Sequence, residues 1–232
     1  MVTAILNAAG SSSRFINSTT NLPKQLCLLN DIPVFLWSLN TFSKIEYIDQ
    51  ILLMVSHDIK THVQEYINSK MQDQAHKIKL YIGGKSRQES VKFALDELAN
   101  QNYLGQVIIH DAARPFVTKS IIDEVYNSLK SCKASTASIK VVDTLKKVNA
   151  NNSYEYINRE NCFLIQTPQG FEFKTLYQCH LKAIEDGCLF TDDTSLVENY
   201  GEKISLTNGS ILNFKITFPN DLKLGQEVAK TF

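Results

Sequence analysis

The sequence has no surplus of charge: 24 Lys plus Arg balance 24 Asp plus Glu over 232 residues. Proteins that coat nucleic acid or anionic lipid need a large positive excess, so no nucleic-acid partner is expected, although a local basic pocket remains compatible. Apolar runs long enough to cross a membrane are missing too. A spanning helix needs roughly 20 apolar residues, whereas stretches such as Ile51 to Val55 have only strand length. No CxxC pair occurs among the five cysteines, Cys27, Cys132, Cys162, Cys179 and Cys188. An odd, widely spaced set predicts free thiols in a reducing compartment, with the cytoplasm as the expected location. The N-terminal MVTAILNAAG has no basic stretch ahead of an apolar core, so no signal peptide is expected. The GxGxxG dinucleotide fingerprint, the GxxxxGK[ST] phosphate loop, the GxSxG nucleophile elbow and the HExxH zinc helix are all absent. The five histidines show no metal-ligand spacing.

What remains is ordinary in bulk, with 44% hydrophobic and 21% charged residues, as in a soluble globular chain. The length predicts a single domain over residues 1–232. Strand-like and helix-like segments alternate along it. Val2 to Leu6, Gln50 to Val55, Ile78 to Ile82, Gln106 to His110, Ala134 to Val142 and Phe163 to Gln166 read as strands. Pro33 to Phe42, Ile59 to Asn68 and Ser86 to Leu98 read as helices. In the last of these, Ser86 and Glu89 form a capping box and Val91, Ala94, Leu95 and Leu98 recur at helical spacing. Thr118 caps a further helix whose apolar stripe is Ile121, Ile122, Val125 and Leu129.

This order predicts an α/β fold: a mostly parallel central sheet, right-handed crossovers, and helices on both faces. Ligands of such sheets bind beyond the carboxyl ends of the strands. That rule points to the loop after Leu6, the glycine pair after Ile82, DAARP after His110, and the segment after Gln166. Asp143 to Glu160 breaks the alternation with a polar stretch containing Asn149, Asn151 and Asn152. It reads as a protruding hairpin or arm, with a long surface loop as the alternative.

Four groups of residues at these places suit chemistry on phosphates. In AAGSSSRF with LPKQ (Ala8 to Gln25), small residues let backbone N–H groups approach an anion, while Arg14 and Lys24 supply two cations. Charge building on a triphosphate under attack at its α-phosphorus needs such fixed partners. The plain alternative is a surface loop with solvated cations. In GGKSRQES (Gly83 to Ser90), two glycines followed by a helix N-terminus favour close approach by an anion or a base carbonyl; a tight turn with a capping box explains the same residues. In HDAARPF (His110 to Phe116), Asp111 ends a strand where it could hold a metal or a hydroxyl, or pair locally with Arg114. His110 reads as a packed strand residue more readily than as a base. The fourth group places Thr144, Arg159, Thr167 and Lys215 at strand edges, where a single cation is usually just solvated.

Taken in order, AAG-x(3)-R with PKQ, GG-x(2)-R-x(2)-S, HDAARP, DT-x-K, QTPQ-x-F, TDD-x-SLVE and N-x-K-x-T-x-P-x-DL resemble the 2-C-methyl-D-erythritol 4-phosphate cytidylyltransferases, from Ala8 to Leu222. The resemblance implies a Rossmann-like nucleotidyltransferase fold with residues 143–160 as a dimerisation arm of a homodimer. It implies transfer of CMP from CTP to a sugar-alcohol phosphate, with Mg²⁺ and release of pyrophosphate. By the same resemblance Arg14 and Lys24 are transition-state stabilisers. Ala8, Ala9, Gly10, Gly83, Arg87, Ser90 and Ala112 cradle the cytidine and triphosphate. Arg159 and Lys215 position the acceptor phosphate. Asp111, Arg114, Thr144 and Thr167 complete the acceptor site, with Thr144 and Arg114 reaching into a partner's site and Asp111 as the candidate metal ligand. Ribitol 5-phosphate cytidylyltransferases carry similar loops and remain the alternative. The family's first loop usually reads AAG-x-G-x-R; Ser12 replaces the second glycine here.

Overall fold

Gln50–Val55 is buried along its whole length, as a strand covered on both faces must be. The computed structural model, which describes residues 1–10, 15, 22–150 and 152–232, builds the molecule around such strands. In chain order it runs β1 (Val2–Ala8), β2 (Leu28–Leu29), β3 (Ile32–Pro33), α1 (Val34–Ser43), β4 (Gln50–Val55), α2 (Lys60–Lys70), β5 (Ile78–Ile82), α3 (Arg87–Asn100), β6 (Gln106–Asp111) and α4 (Lys119–Ser128). It continues through β7 (Ala134–Lys140), β8 (Leu145–Val148), β9 (Tyr154–Ile157), β10 (Phe163–Glu172), α5 (Phe173–Glu185), α6 (Asp193–Asn199), β11 (Ser205–Asn208) and α7 (Pro219–Ala229).

One seven-stranded sheet has the order β11-β7-β10-β6-β1-β4-β5. The pairs β1–β4, β1–β6, β4–β5 and β7–β11 are parallel. Strand periodicity splits each apolar run between two cores. Ala4, Leu6, Ile51, Leu53 and Ile108 face the core shared with α1, α2 and α4. Ile5, Leu52, Met54, Val107 and Ile109 face the one shared with α3, α5 and α6. A third cluster joins Leu29, Val34, Phe116, Ile216 and Ala229, and seats α7 beside the small β2–β3 hairpin.

The strand expected over Phe163 to Gln166 is longer than its apolar pattern and runs the other way. β10 extends to Glu172 and pairs antiparallel with both β6 and β7. Its register shifts between Ile165 and Gln169, where Pro168 interrupts the ladder. That irregularity brings Thr167 to the end of β6, where its Oγ1 accepts from the Asp111 N–H at 3.1 Å. Within residues 143–160, β8 and β9 pair antiparallel. The cysteines are free, and burial pushes the Cys27 thiol above its ordinary value.

Candidate active site

Three strand ends meet at one edge of the sheet. The first loop and the glycine pair touch there. A Cβ added to Gly83 would sit 2.4 Å from the Ala9 Cβ and 2.7 Å from the Ser90 Oγ, so only glycine allows this approach. The Gly83 N–H donates to Val55 O and the Ala112 N–H to Asn7 O, tying the end of β5 to β4 and the end of β6 to β1. Gln25 Nε2 donates to the carbonyls of Ala8 and Gly10, at 2.9 and 2.7 Å. The PKQ segment thereby holds the AAG loop in shape. Ser90 Oγ accepts from the Gly84 N–H at 2.9 Å and donates to Ser86 O at 2.8 Å. Its hydroxyl braces the turn on which Gly83 sits. Half of the expected capping box is present: Ser86 accepts from the Glu89 N–H, but the Glu89 carboxylate accepts from the Lys85 N–H rather than from that of Ser86.

The charged groups come together around Asp111. Its Oδ1 accepts from Arg87 Nε at 3.0 Å and its Oδ2 from Lys215 Nζ at 2.7 Å. Burial opposes ionisation of Asp111, but Arg87, Lys215 and Arg114 outweigh it and hold the carboxyl well below the usual range. Lys24 is buried, and its Nζ donates to Ile216 O at 2.9 Å. Lys24, Lys215, Arg87 and Asp111 line one small cavity of about 90 Å³ with Asn7, Gly10, Gln25 and Ala113. Arg87, Asp111 and Lys215 also line a neighbouring cleft of about 390 Å³ with Arg114, Gln166 and Thr167. The two spaces therefore share a wall of fixed charges. A larger hollow of about 540 Å³ lies at the opposite ends of the strands, by Met1, Gln106 and Glu172, away from every motif.

Arg114 lines the cleft of its own chain and donates from Nη1 to Asn213 O at 2.8 Å. Arg87 Nη2 and Arg114 Nε are buried without a hydrogen-bond partner among the described residues, donors of the kind an anionic ligand satisfies. His110 is fully buried, with Thr167 Oγ1 at its Nδ1 and Arg114 O at its Nε2. The Arg114 carbonyl can only accept, so the ring proton sits on Nε2, and the Thr167 hydroxyl, which accepts from the Asp111 N–H, donates to the unprotonated Nδ1. Burial pushes the His110 pKa down to about 4. With both nitrogens engaged, it shapes the loop and offers no base to the cleft.

Thr144 and Arg159 line neither space; Arg159 is exposed and donates to Val142 O at the root of the arm. Arg14 and Ser12 lie outside the described residues. For a resident metal the donor set is poor. Both Asp111 oxygens are engaged by cations, and no three His, Cys, Asp or Glu groups converge among the described residues. A cation held by Asp111 alone does not fit this arrangement.

Sequence reasoning did not single out several residues that build the site. Asn213 Nδ2 donates to Gln166 Oε1 and to Thr167 O, fixing the cleft wall. Asp193 receives Arg87 Nη1 at 2.6 Å. Their motifs, QTPQ, TDD and N-x-K, were visible, but nothing local marked which member faces inward.

The chain is similar to known proteins along nearly its whole length. A sequence model of the 2-C-methyl-D-erythritol 4-phosphate cytidylyltransferase family matches residues 2–230. An enzyme of that name from Clostridium beijerinckii is 38% identical over 99% of this chain and 99% of its own. One from Clostridium novyi is 36% identical over 97% and 95%. The crystal structure of 4-diphosphocytidyl-2C-methyl-D-erythritol synthase from Anaerococcus prevotii superposes with a TM-score of 0.86 at 26% identity, covering 99% of this chain and 96% of that one.

Proposed function

The chain belongs to the 2-C-methyl-D-erythritol 4-phosphate cytidylyltransferase family, and from that premise we propose that the small cavity and the adjoining cleft are where its two phosphate substrates meet. The reaction is transfer of CMP from CTP to 2-C-methyl-D-erythritol 4-phosphate, with release of pyrophosphate. The observation that carries the site assignment is the shared wall of Arg87, Asp111 and Lys215, with Lys24 on the cavity side.

An oxygen of the acceptor phosphate forms a bond to the α-phosphorus of CTP. The bond from that phosphorus to the α,β-bridging oxygen breaks, and its electron pair leaves with pyrophosphate. The attacking oxygen is already anionic, so no general base is needed, which agrees with the fully engaged His110. The difficulty is bringing two polyanions together. Lys24 and Arg14 stabilise the charge that grows at the α-phosphorus. Ala8, Ala9, Gly10, Gly83 and Ala112 form the backbone cradle for the nucleotide, braced by Ser90 and Gln25. Lys215, with Arg114, receives the acceptor phosphate in line. Mg²⁺ enters as part of the substrate, bound to the triphosphate.

Arg159 and Thr144 would serve the acceptor site of a second subunit across the arm. The arm has the surface for such an interface. Val148, Tyr154 and Tyr156 of the arm, with Val142 at its root, are 60–77% exposed, and exposed apolar side chains grouped in this way suit an interaction surface. Tyr154→Asp with Tyr156→Asp is expected to shift sedimentation from dimer to monomer; an unchanged dimer would exclude the arm. Cytoplasmic location is proposed from the free thiols.

The deciding assay is pyrophosphate release with CTP and each of two acceptors. Turnover with methylerythritol phosphate and little with ribitol 5-phosphate is expected. The reverse pattern would reassign the acceptor, and no turnover with either would remove the activity.

A further inference from the structure

Charged side chains continue inward from the cleft wall. Lys215 and Arg87 hold the two oxygens of Asp111. Arg87 then reaches Asp193 Oδ2 with Nη1 at 2.6 Å, and Asp193 Oδ1 accepts from His180 Nε2 at 3.0 Å. His180 is 0% and Asp193 1% exposed. Burial opposes ionisation of Asp193, but Arg87 and His180 hold its carboxyl below the ordinary value.

His180 sits on the buried side of α5, beside Phe173, Leu176, Cys179 and Ala183. Its Nδ1 has no partner among the described residues. A polar ring in an apolar stripe is costly unless its remaining contact matters. That contact is the bond to Asp193. A guanidinium is planar, so holding one edge on Asp111 and the other on Asp193 fixes its plane. A carboxylate held at one oxygen can turn about its own bond; the second contact, from His180, stops it.

We propose that His180 is a positioning residue for the transfer reaction: through Asp193 it sets the plane of Arg87, and with it the Asp111–Lys215 pair that receives the acceptor phosphate. This inference rests on the reading that Arg87 and Lys215 belong to the substrate site.

Steady-state kinetics of four variants test it. His180→Leu fills the buried volume and removes the donor. A misplacement well below 1 Å at Arg87 is expected to raise the KM for the acceptor about tenfold. Arg87 also lines the Lys24 cavity, so the KM for CTP is expected to rise as well, but by less, because the turn carrying Gly83 keeps its own hydrogen bonds through Ser90. His180→Gln keeps a donor and is expected to recover most of the acceptor KM. A merely structural role would lower Tm in both variants and leave the KM of the folded enzyme alone, and that result overturns the proposal. Should His180→Leu fail to fold, His180→Asn, whose shorter amide lacks a donor at the Nε2 position, takes its place: a raised acceptor KM supports the chain, and an unchanged one ends it. Arg87→Lys separates the two levels. No effect on the acceptor KM there would remove Arg87 from the substrate site. An effect there with none in His180→Leu would overturn only the role of His180.

Discussion

Replacing Lys24 with alanine is expected to lower kcat by about 10²–10³-fold, the loss seen when one preorganised partner of a transition-state charge is removed. Lys24 is only 8% exposed, and a fixed charge out of water acts far more strongly on a nearby phosphoryl group than one in solvent. Its anchor on Ile216 O means that the ammonium needs no reorganisation when the reaction occurs. The substitution leaves that buried carbonyl short of a donor, costing about 1 kcal/mol of stability, too little to unfold a domain of this size. Lys24→Ala should therefore give a folded protein with a slightly lower Tm and a collapsed kcat. Stopped-assay turnover beside a thermal melt makes the comparison. Turnover equal to that of the parent would remove Lys24 from the mechanism.

The second large effect is on stability. Asp111→Asn removes the negative charge between Arg87 and Lys215 and leaves two partly buried cations facing each other. Removing one partner of a buried ion pair costs about 3–5 kcal/mol, and the retained amide oxygen places this variant near the lower end. The acid response carries the signature. The folded pKa of Asp111 lies well below its ordinary value, so its contribution is fully present above the unfolded pKa of about 4 and lost as the pH falls through the folded one. Urea midpoints of parent and variant should differ by a constant amount from pH 7 to about pH 5 and converge at lower pH. Equal midpoints at pH 7 would show that the charge chain adds nothing to the fold.

Much of the scaffold was legible because its signals are local. The apolar run Gln50–Val55 reads as a strand covered on both faces because parallel sheets bury both sides. Ser86 and Glu89 announced the start of α3 because an N-cap bond spans three residues. The AAG, GG and DAARP loops lie together because each follows a parallel strand, and such strands end at the same edge. β10 was less legible. Its apolar pattern stops before Pro168, and its direction depends on neighbours that local periodicity does not name.

The sequence by itself determined the α/β architecture, the loops that carry the chemistry and, through the order of seven motifs, the family. Only the tertiary structure decided the pairings. Asp111 joins Arg87, 24 positions away, and Lys215, 104 positions away. His180 lies behind Asp193, and β10 slots antiparallel between two parallel neighbours. Periodicity and capping act over a few residues, so they can be read along the chain. Charge pairing and strand insertion are selected by which surfaces the folded chain brings within a few ångströms, and no short window of sequence records that.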